Sequence, residues 1–125
     1  MWARDQTSRD LLNSAGVATD LVPDAALAMA DRFPRVPTGS GRYDIRRAPG
    51  TCQERIEHDV APGPNASDLT FATPLPEVID TLAPYRLVVS DRLHGGLIGL
   101  MLRKRVALLG VGYHKIESFH ATWLK

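Results

Sequence analysis

The sequence predicts an α/β fold built on a Rossmann-like parallel sheet, and three observations carry that prediction. The last third alternates helical and apolar-strand patterns through about fifty residues, the signature of strands joined by helical crossovers. Its two clearest strand candidates, Leu87-Val88-Val89-Ser90 and Val106-Ala107-Leu108-Leu109-Gly110-Val111, are continuous apolar runs, as expected of strands covered on both faces. A polar, glycine-containing turn follows each of them directly.

Along the chain, Asp5 to Ala15 places Leu11 and Leu12 among polar residues with Gly16 just beyond, which reads as a short surface helix and its stop. Val17 to Asp24 reads as a brief strand ended by Pro23, and the Ala- and Leu-rich run Ala25 to Ala30 favours helix. The character then changes. Seven of the nine prolines fall between Phe33 and Pro76, with Gly39, Gly41, Gly50 and Gly63 among them, so residues 33–76 are expected to be largely irregular. Within them, Arg42 to Arg47 predicts a strand with Tyr43 and Ile45 on one face, and Asp68 to Ala72 another with Leu69 and Phe71 inward. Thr51 to Val60 reads as a short helix or a loop, Pro62-Gly63-Pro64-Asn65 as an exposed turn, and Arg46-Arg47 as solvated arginines. Pro76 to Leu82 has Val78, Ile79 and Leu82 at helical spacing, Leu93 to Arg103 is a Leu- and Gly-rich helix, and Ile116 to Leu124 is the closing helix. A right-handed connection between the two apolar strands follows from chain chirality.

Composition bounds the function. Hydrophobic residues at 44% and charged ones at 23% in 125 residues are those of an ordinary globular chain with one core. The net charge of +1 gives no global attraction to nucleic acid or an anionic membrane, so any anion site must be local. A single Cys52 excludes an internal disulfide framework, and no Cys or His pair stands at zinc-ligand spacing. There is no apolar leader after Met1 and no apolar run long enough to cross a bilayer, so a reducing cytoplasm is the expected compartment.

The most informative point is Asp91-Arg92-Leu93-His94-Gly95-Gly96. Ligands of parallel sheets bind beyond the carboxyl ends of strands, where the next helix presents unpaired N–H groups and a partial positive charge. Arg92 and His94 stand there, and Gly95 and Gly96 allow a ligand or a neighbouring strand to approach closely. An equally weighted reading makes Asp91 a helix cap, Arg92 solvated, His94 packed and the glycines a packing device. Gly112-Tyr113-His114-Lys115 follows the next strand on the same edge, so Lys115 and His114 can share a crevice with Arg92 and His94; an ordinary loop is the alternative. Ile116, Phe119 and Trp123 are spaced as a helix core rather than as a sugar-stacking platform.

Leu87 to Gly96, followed by Arg105 to Leu109 and then Tyr113-His114-Lys115-Ile116-Glu117-Ser118-Phe119 and Trp123-Leu124, resembles the C-terminal signature of polysaccharide pyruvyl transferases. Trp2-Ala3-Arg4-Asp5, Ser8, Leu11-Leu12, Gly16 and Leu21-Val22-Pro23-Asp24 resemble that family's segment in which an Arg-Asp pair and a Ser open a helix and a Pro-Asp pair ends the next strand. The stretch from Phe33 to Pro76 aligns with nothing in that pattern. The resemblance implies the C-terminal lobe of a GT-B-like fold, residues 1–125 forming a single partial domain without the N-terminal lobe: either a fragment or truncated reading frame of a longer enzyme, or a chain whose other lobe comes from a separate chain or whose partner is a second copy. An exposed apolar face is expected in consequence.

The resemblance further implies transfer of a pyruvyl group from phosphoenolpyruvate to a glycan or lipid-linked sugar of a cell-surface polysaccharide. Phosphoenolpyruvate is the donor substrate, and no other cofactor or metal is expected. Arg92 and His94 carry over to donor binding or catalysis, His94 as acid/base with a reference histidine pKa of about 6.5; Arg92, Gly95, Gly96 and Lys115 form the expected substrate-binding set. Two other functions fit the same residues: a non-catalytic lobe that binds an anion or a partner, and a GT-B glycosyltransferase donor lobe that holds a nucleotide diphosphate.

Overall fold

A computed structural model describes residues 1–47, 61–69, 73–110 and 114–124. Parallel pairing defines it throughout. A small sheet joins β1 (Trp2–Ala3) to β2 (Asp20–Leu21) across α1 (Gln6–Ser14), and a four-stranded sheet runs in the order β4-β3-β5-β6. Its strands are β3 (Arg42–Ile45), β4 (Ala66–Ser67), β5 (Leu87–Ser90) and β6 (Arg105–Leu108), and α2 (Leu75–Leu82) and α3 (Leu93–Met101) lie on the connections. The chain closes with α4 (His114–Trp123). The expected neighbours β5 and β6 pair in parallel with Val88 opposite Val106 and Ser90 opposite Leu108, joined by α3.

Local chemistry sets the helix boundaries. Asp5 accepts the Ser8 N–H at 2.9 Å to start α1, and Gly16 at φ +82° ends it, with the Val17 N–H bonded to Leu12 O and the Gly16 N–H to Asn13 O. α3 ends in the same way, but the left-handed position is Arg103 at φ 60°, where the Lys104 N–H returns to Gly99 O and the Arg103 N–H to Leu100 O. Lys104 is then buried, its Nζ donating to the carbonyls of Pro37 (2.6 Å), Ala83 (2.7 Å) and Thr38 (3.3 Å). The ammonium ties the irregular 37–38 segment to the end of α2. Burial holds its pKa below the ordinary lysine value.

The core follows from strand alternation and from glycines. Tyr43, Ile45, Val88 and Val106 fall on one face of the sheet and pack with Val78 and Leu82 of α2; Leu93, Leu97 and Met101 of α3 pack with Ile116 and Phe119 of α4. Gly95, Gly96 and Gly99 turn toward the strands: a Cβ on Gly95 would stand 2.8 Å from Ser90 Oγ and 2.9 Å from Ile45 Cδ1, one on Gly99 2.9 Å from Val106 Cγ2, and one on Gly96 would meet the end of Leu108. The neighbouring strands, rather than open space, occupy that side of the helix. Gly95→Ala is therefore expected to destabilise the fold by about 1–3 kcal/mol, because the methyl displaces a buried hydroxyl with two hydrogen bonds. Gly96→Ala should cost less, since the Leu108 tip can turn aside; urea unfolding midpoints of the two variants would rank them, and the reverse order would contradict this packing.

Several sequence expectations are corrected. Among the described residues a middle strand lies at Ala66–Ser67, and Asp68 and Leu69, expected to begin one, stand outside the sheet, the Asp68 carboxylate being drawn to Arg92. Ala25–Arg32 is helical as expected, but in 3-10 form, capped by Asp24 through the Ala26 N–H. β6 is an edge strand with Arg105 and Ala107 exposed, so its apolar run is covered on one face only. Arg46 and Arg47 are not solvated: the Arg46 side chain bonds Asp44 and is mostly buried, and Arg47 is half-buried in a cavity wall, its backbone N–H bonding both oxygens of Asp91 at 2.9 and 3.1 Å. The readings of Thr51–Val60 and of Thr70–Ala72 lie outside the described residues. Of the exposed large apolar side chains, Met29, Leu75 and Trp2 border clefts, while Leu11 and Met1 lie elsewhere at the N-terminal end.

Candidate functional site

The carboxyl edge of both sheets gathers charged residues, because polar residues follow β1 to β5 there. After β3 come Arg46 and Arg47, after β4 Asp68, after β5 Asp91 and Arg92, after β1 Arg4 and Asp5, and after β2 Pro23 and Asp24. Ser90, fully buried, shapes the turn after β5. Its hydroxyl donates to Arg92 O at 2.7 Å and accepts the Arg92 N–H at 3.0 Å, which makes Arg92 the cap position of α3 and sends Asp91 back to the Arg47 N–H. Asp91 is thus not the helix cap.

Arg92 is held by a bidentate pair with Asp68, Nε to Oδ1 at 2.5 Å and Nη2 to Oδ2 at 2.9 Å, and remains 21% exposed. His94, in the first turn of α3, is 40% exposed and has Nε2 at 3.6 Å from Asp24 Oδ2. That same oxygen accepts Arg4 Nη1 at 2.9 Å. Burial raises the Asp24 carboxyl, but the Ala26 N–H, the Arg4 hydrogen bond and the charges of His94 and Arg4 outweigh it and hold the group below the usual aspartate value. Asp24 is therefore an ionised partner at neutral pH. Lys115 stands in the first turn of α4.

Two hollows meet along this edge. One, of about 560 Å³, lies between the 3-10 helix, α3 and the ends of β3 and β4; apolar side chains such as Phe33, Ile45, Leu97 and Met101 line it together with Arg47, Arg92, His94 and Lys115. The other, of about 710 Å³, is open, and Arg4, Asp5, Ser8 and Asp24 line it together with Trp2, Leu12 and Val22. His94 and Lys115 border both. The expected residues Arg92, His94, Gly95 and Lys115 thus share one cavity, whereas Gly96 is not part of its wall and faces the sheet. The side chain of His114 and residues 111–113 lie outside the described residues.

Arg47, Asp68, Arg4 and Asp24 also belong to this edge, and sequence reading did not assign them to the site. A signal existed for Arg47, a tandem arginine following a strand, and for Arg4 and Asp24, which sit in the N-terminal motif. Nothing local marks Asp68, because its partner is 24 residues away.

The structure is thus a parallel α/β sheet whose carboxyl edge carries a cleft bordered by Arg47, Arg92, His94 and Lys115, the place where ligands of such sheets bind. The polysaccharide pyruvyl transferase family matches residues 2–113, and the chain belongs to that family. The match runs through Phe33 to Pro76, which motif comparison left unaligned, and ends just before Lys115. No curated protein and no solved structure matches the chain. Among the described residues no helix is long and apolar enough to cross a membrane.

Proposed function

We propose that this chain binds phosphoenolpyruvate at the cationic edge of the smaller cavity and takes part in transferring its pyruvyl group to hydroxyls of a polysaccharide sugar in the cytoplasm. The observation that carries the reading is the convergence of the two motif regions: the Arg4–Asp24 pair of the first meets His94 of the second. A phosphate and a carboxylate on one small donor call for several cations at once, and Arg47, Arg92, His94 and Lys115 border one cavity. The apolar remainder of the wall lowers the local dielectric and strengthens each of those contacts.

A proton is delivered to the methylene carbon of the enol, making the methyl group, and a sugar hydroxyl attacks the central carbon. Phosphate leaves with its bridging oxygen, a second hydroxyl takes its place, and the two hydroxyl protons supply the methyl group and the departing phosphate. His94 is the proton carrier, with Asp24 orienting its ring; Arg92 and Lys115 hold the donor's anionic groups. Asp68 fixes the Arg92 guanidinium before the donor arrives, so less conformational freedom is lost on binding.

Isothermal titration tests the donor. Phosphoenolpyruvate is expected to bind with favourable enthalpy, more tightly than a nucleotide sugar, and Lys115→Ala to weaken it about tenfold, which corresponds to about 1.4 kcal/mol. Preference for the nucleotide sugar would favour the glycosyltransferase reading. Donor binding with no phosphate release in the presence of acceptor glycans would favour a non-catalytic anion-binding lobe.

A further inference from the structure

Phe33 and Met101, in the wall of the cavity that Arg92 and Lys115 border, also line a further hollow of about 280 Å³. None of Arg47, Arg92, His94 and Lys115 lines this one; its charged residues are Arg35, Arg103 and Asp31. It lies toward the other end of the strands. The helix α3 runs back from the site, so Arg103, just past its end, stands at the amino edge of the sheet, where β5 and β6 begin. Arg86 and Arg105 are exposed at that edge, joined by the Arg105 N–H to Arg86 O bond at 3.0 Å. Lys104 lies between Arg103 and Arg105, with its ammonium bonded to three carbonyls and to no carboxylate.

Arg103 holds its place at a conformational cost. Among the described residues it is the one non-glycine at positive φ, 60°, where a side chain crowds the backbone and glycine does not. The turn has no need of the guanidinium, because the backbone N–H groups of Arg103 and Lys104 already take the carbonyls of Leu100 and Gly99. Arg35 and Arg103 are both exposed, and neither guanidinium makes a hydrogen bond or ion pair with a described residue. Two unpaired cations facing one hollow repel each other, and an anion between them removes that repulsion. The guanidinium fork matches phosphate oxygens in pairs, the Pro34, Val36 and Leu102 side chains offer apolar cover to a short carbon skeleton, and Asp31 accepts from a hydroxyl.

We propose that this hollow is a second anion site, taking a small phosphate monoester that also carries a hydroxyl, with Arg35 and Arg103 on the phosphate and Asp31 on the hydroxyl. It does not depend on the transferase reading, since the residues assigned to donor binding and proton transfer stand in another cavity.

Titration of the full chain with glycerol 3-phosphate at about 0.15 M salt, followed by heteronuclear NMR, tests it, because loose surface charge is largely screened there. The backbone amide signals of Arg35, Val36, Leu102, Arg103 and Lys104 are expected to move, and Arg103→Gly and Arg35→Gln each to weaken binding about tenfold. Arg103→Gly should unfold at the same temperature as the parent or higher, since glycine adopts the left-handed position freely, so lost binding is not lost folding. Lys115→Ala should leave binding at this site unchanged. Signals that move only around Arg92 to Gly95, or nowhere, would overturn the site, and so would equal binding of glycerol. Unchanged affinity in Arg103→Lys, which keeps the charge and loses the fork, would also overturn it by showing a diffuse basic surface. Phosphoenolpyruvate titrated in parallel keeps the two readings apart: movement at Arg35 and Arg103 with no phosphoenolpyruvate bound upholds this site and removes the donor assignment.

Discussion

Replacing His94 by Gln is expected to lower turnover by roughly 10²–10⁴-fold while changing phosphoenolpyruvate affinity far less, the pattern of a lost proton carrier. Gln keeps a polar group within reach of Asp24 but cannot carry a proton near neutral pH. The measurement is phosphate release in the presence of an acceptor glycan, with donor affinity read separately by titration. Equal losses in affinity and turnover would move His94 from proton transfer to donor binding, and an unchanged rate would remove it from the chemistry. Asp24→Asn tests the positioning partner. It should keep the hydrogen bond from the Ala26 N–H but lose the charge facing Arg4 and His94, lowering turnover less than the His94 change does.

The largest loss of stability is expected at Asp44. This carboxylate is fully buried in β3 and accepts Arg42 Nε and Nη2 at 2.8 Å each, Arg46 Nη2 at 3.0 Å and the Gly63 N–H at 2.9 Å. Asp44→Ala leaves those donors facing each other across a low-dielectric gap, and about 3–5 kcal/mol of stability should be lost. Urea unfolding measures it; a loss below about 1 kcal/mol would mean that the arginines find water instead. Acid should reveal the same group. Burial raises the Asp44 carboxyl, but the hydrogen bonds from Arg42, Gly63 and Arg46 prevail and lower its pKa in the fold. Between that lowered value and the unfolded value near ~3.9 the unfolded chain binds more protons, so stability rises with pH in that window. The contribution is complete above the unfolded pKa and disappears as pH falls through the folded one. Asp24, lowered by its own partners, adds to the same acid limb, and the limb should be shallower in Asp44→Ala.

How far the sequence was legible depends on the range of the interaction concerned. Leu87–Ser90, α3 and β6 could be read because apolar runs and helical spacing are local patterns, and β5 is covered on both faces as such a run requires. Tyr43 and Ile45 were placed on one buried face by alternation alone. Asp44 between them was not recognised as buried, since alternation assigns a charged residue to solvent unless its partners are known. Arg42 and Arg46 lie two residues to either side, close enough in sequence to be seen, but only the extended backbone turns all three side chains toward one point. The family match through Phe33 to Pro76 shows a further limit: proline and glycine suppress periodicity, yet that stretch holds β3 and the short β4 of the same sheet.

By itself the sequence determined the parallel α/β architecture, the polar turn at the end of β5 and the resemblance that places His94 and Arg92 in it, because each is built from local patterns, apolar runs, helical spacing and short motifs, repeated along the chain. Tertiary structure alone decided what those residues face. Asp68 reaches Arg92 across 24 positions and Asp24 reaches His94 across 70, contacts created by the order of strands and invisible to spacing. It also decided that the glycines of α3 face strands and that Trp2, rather than Trp123, is the exposed ring bordering a cleft. A glycine or a tryptophan carries no local mark of whether protein or solvent lies beside it; that depends on which elements the fold brings there.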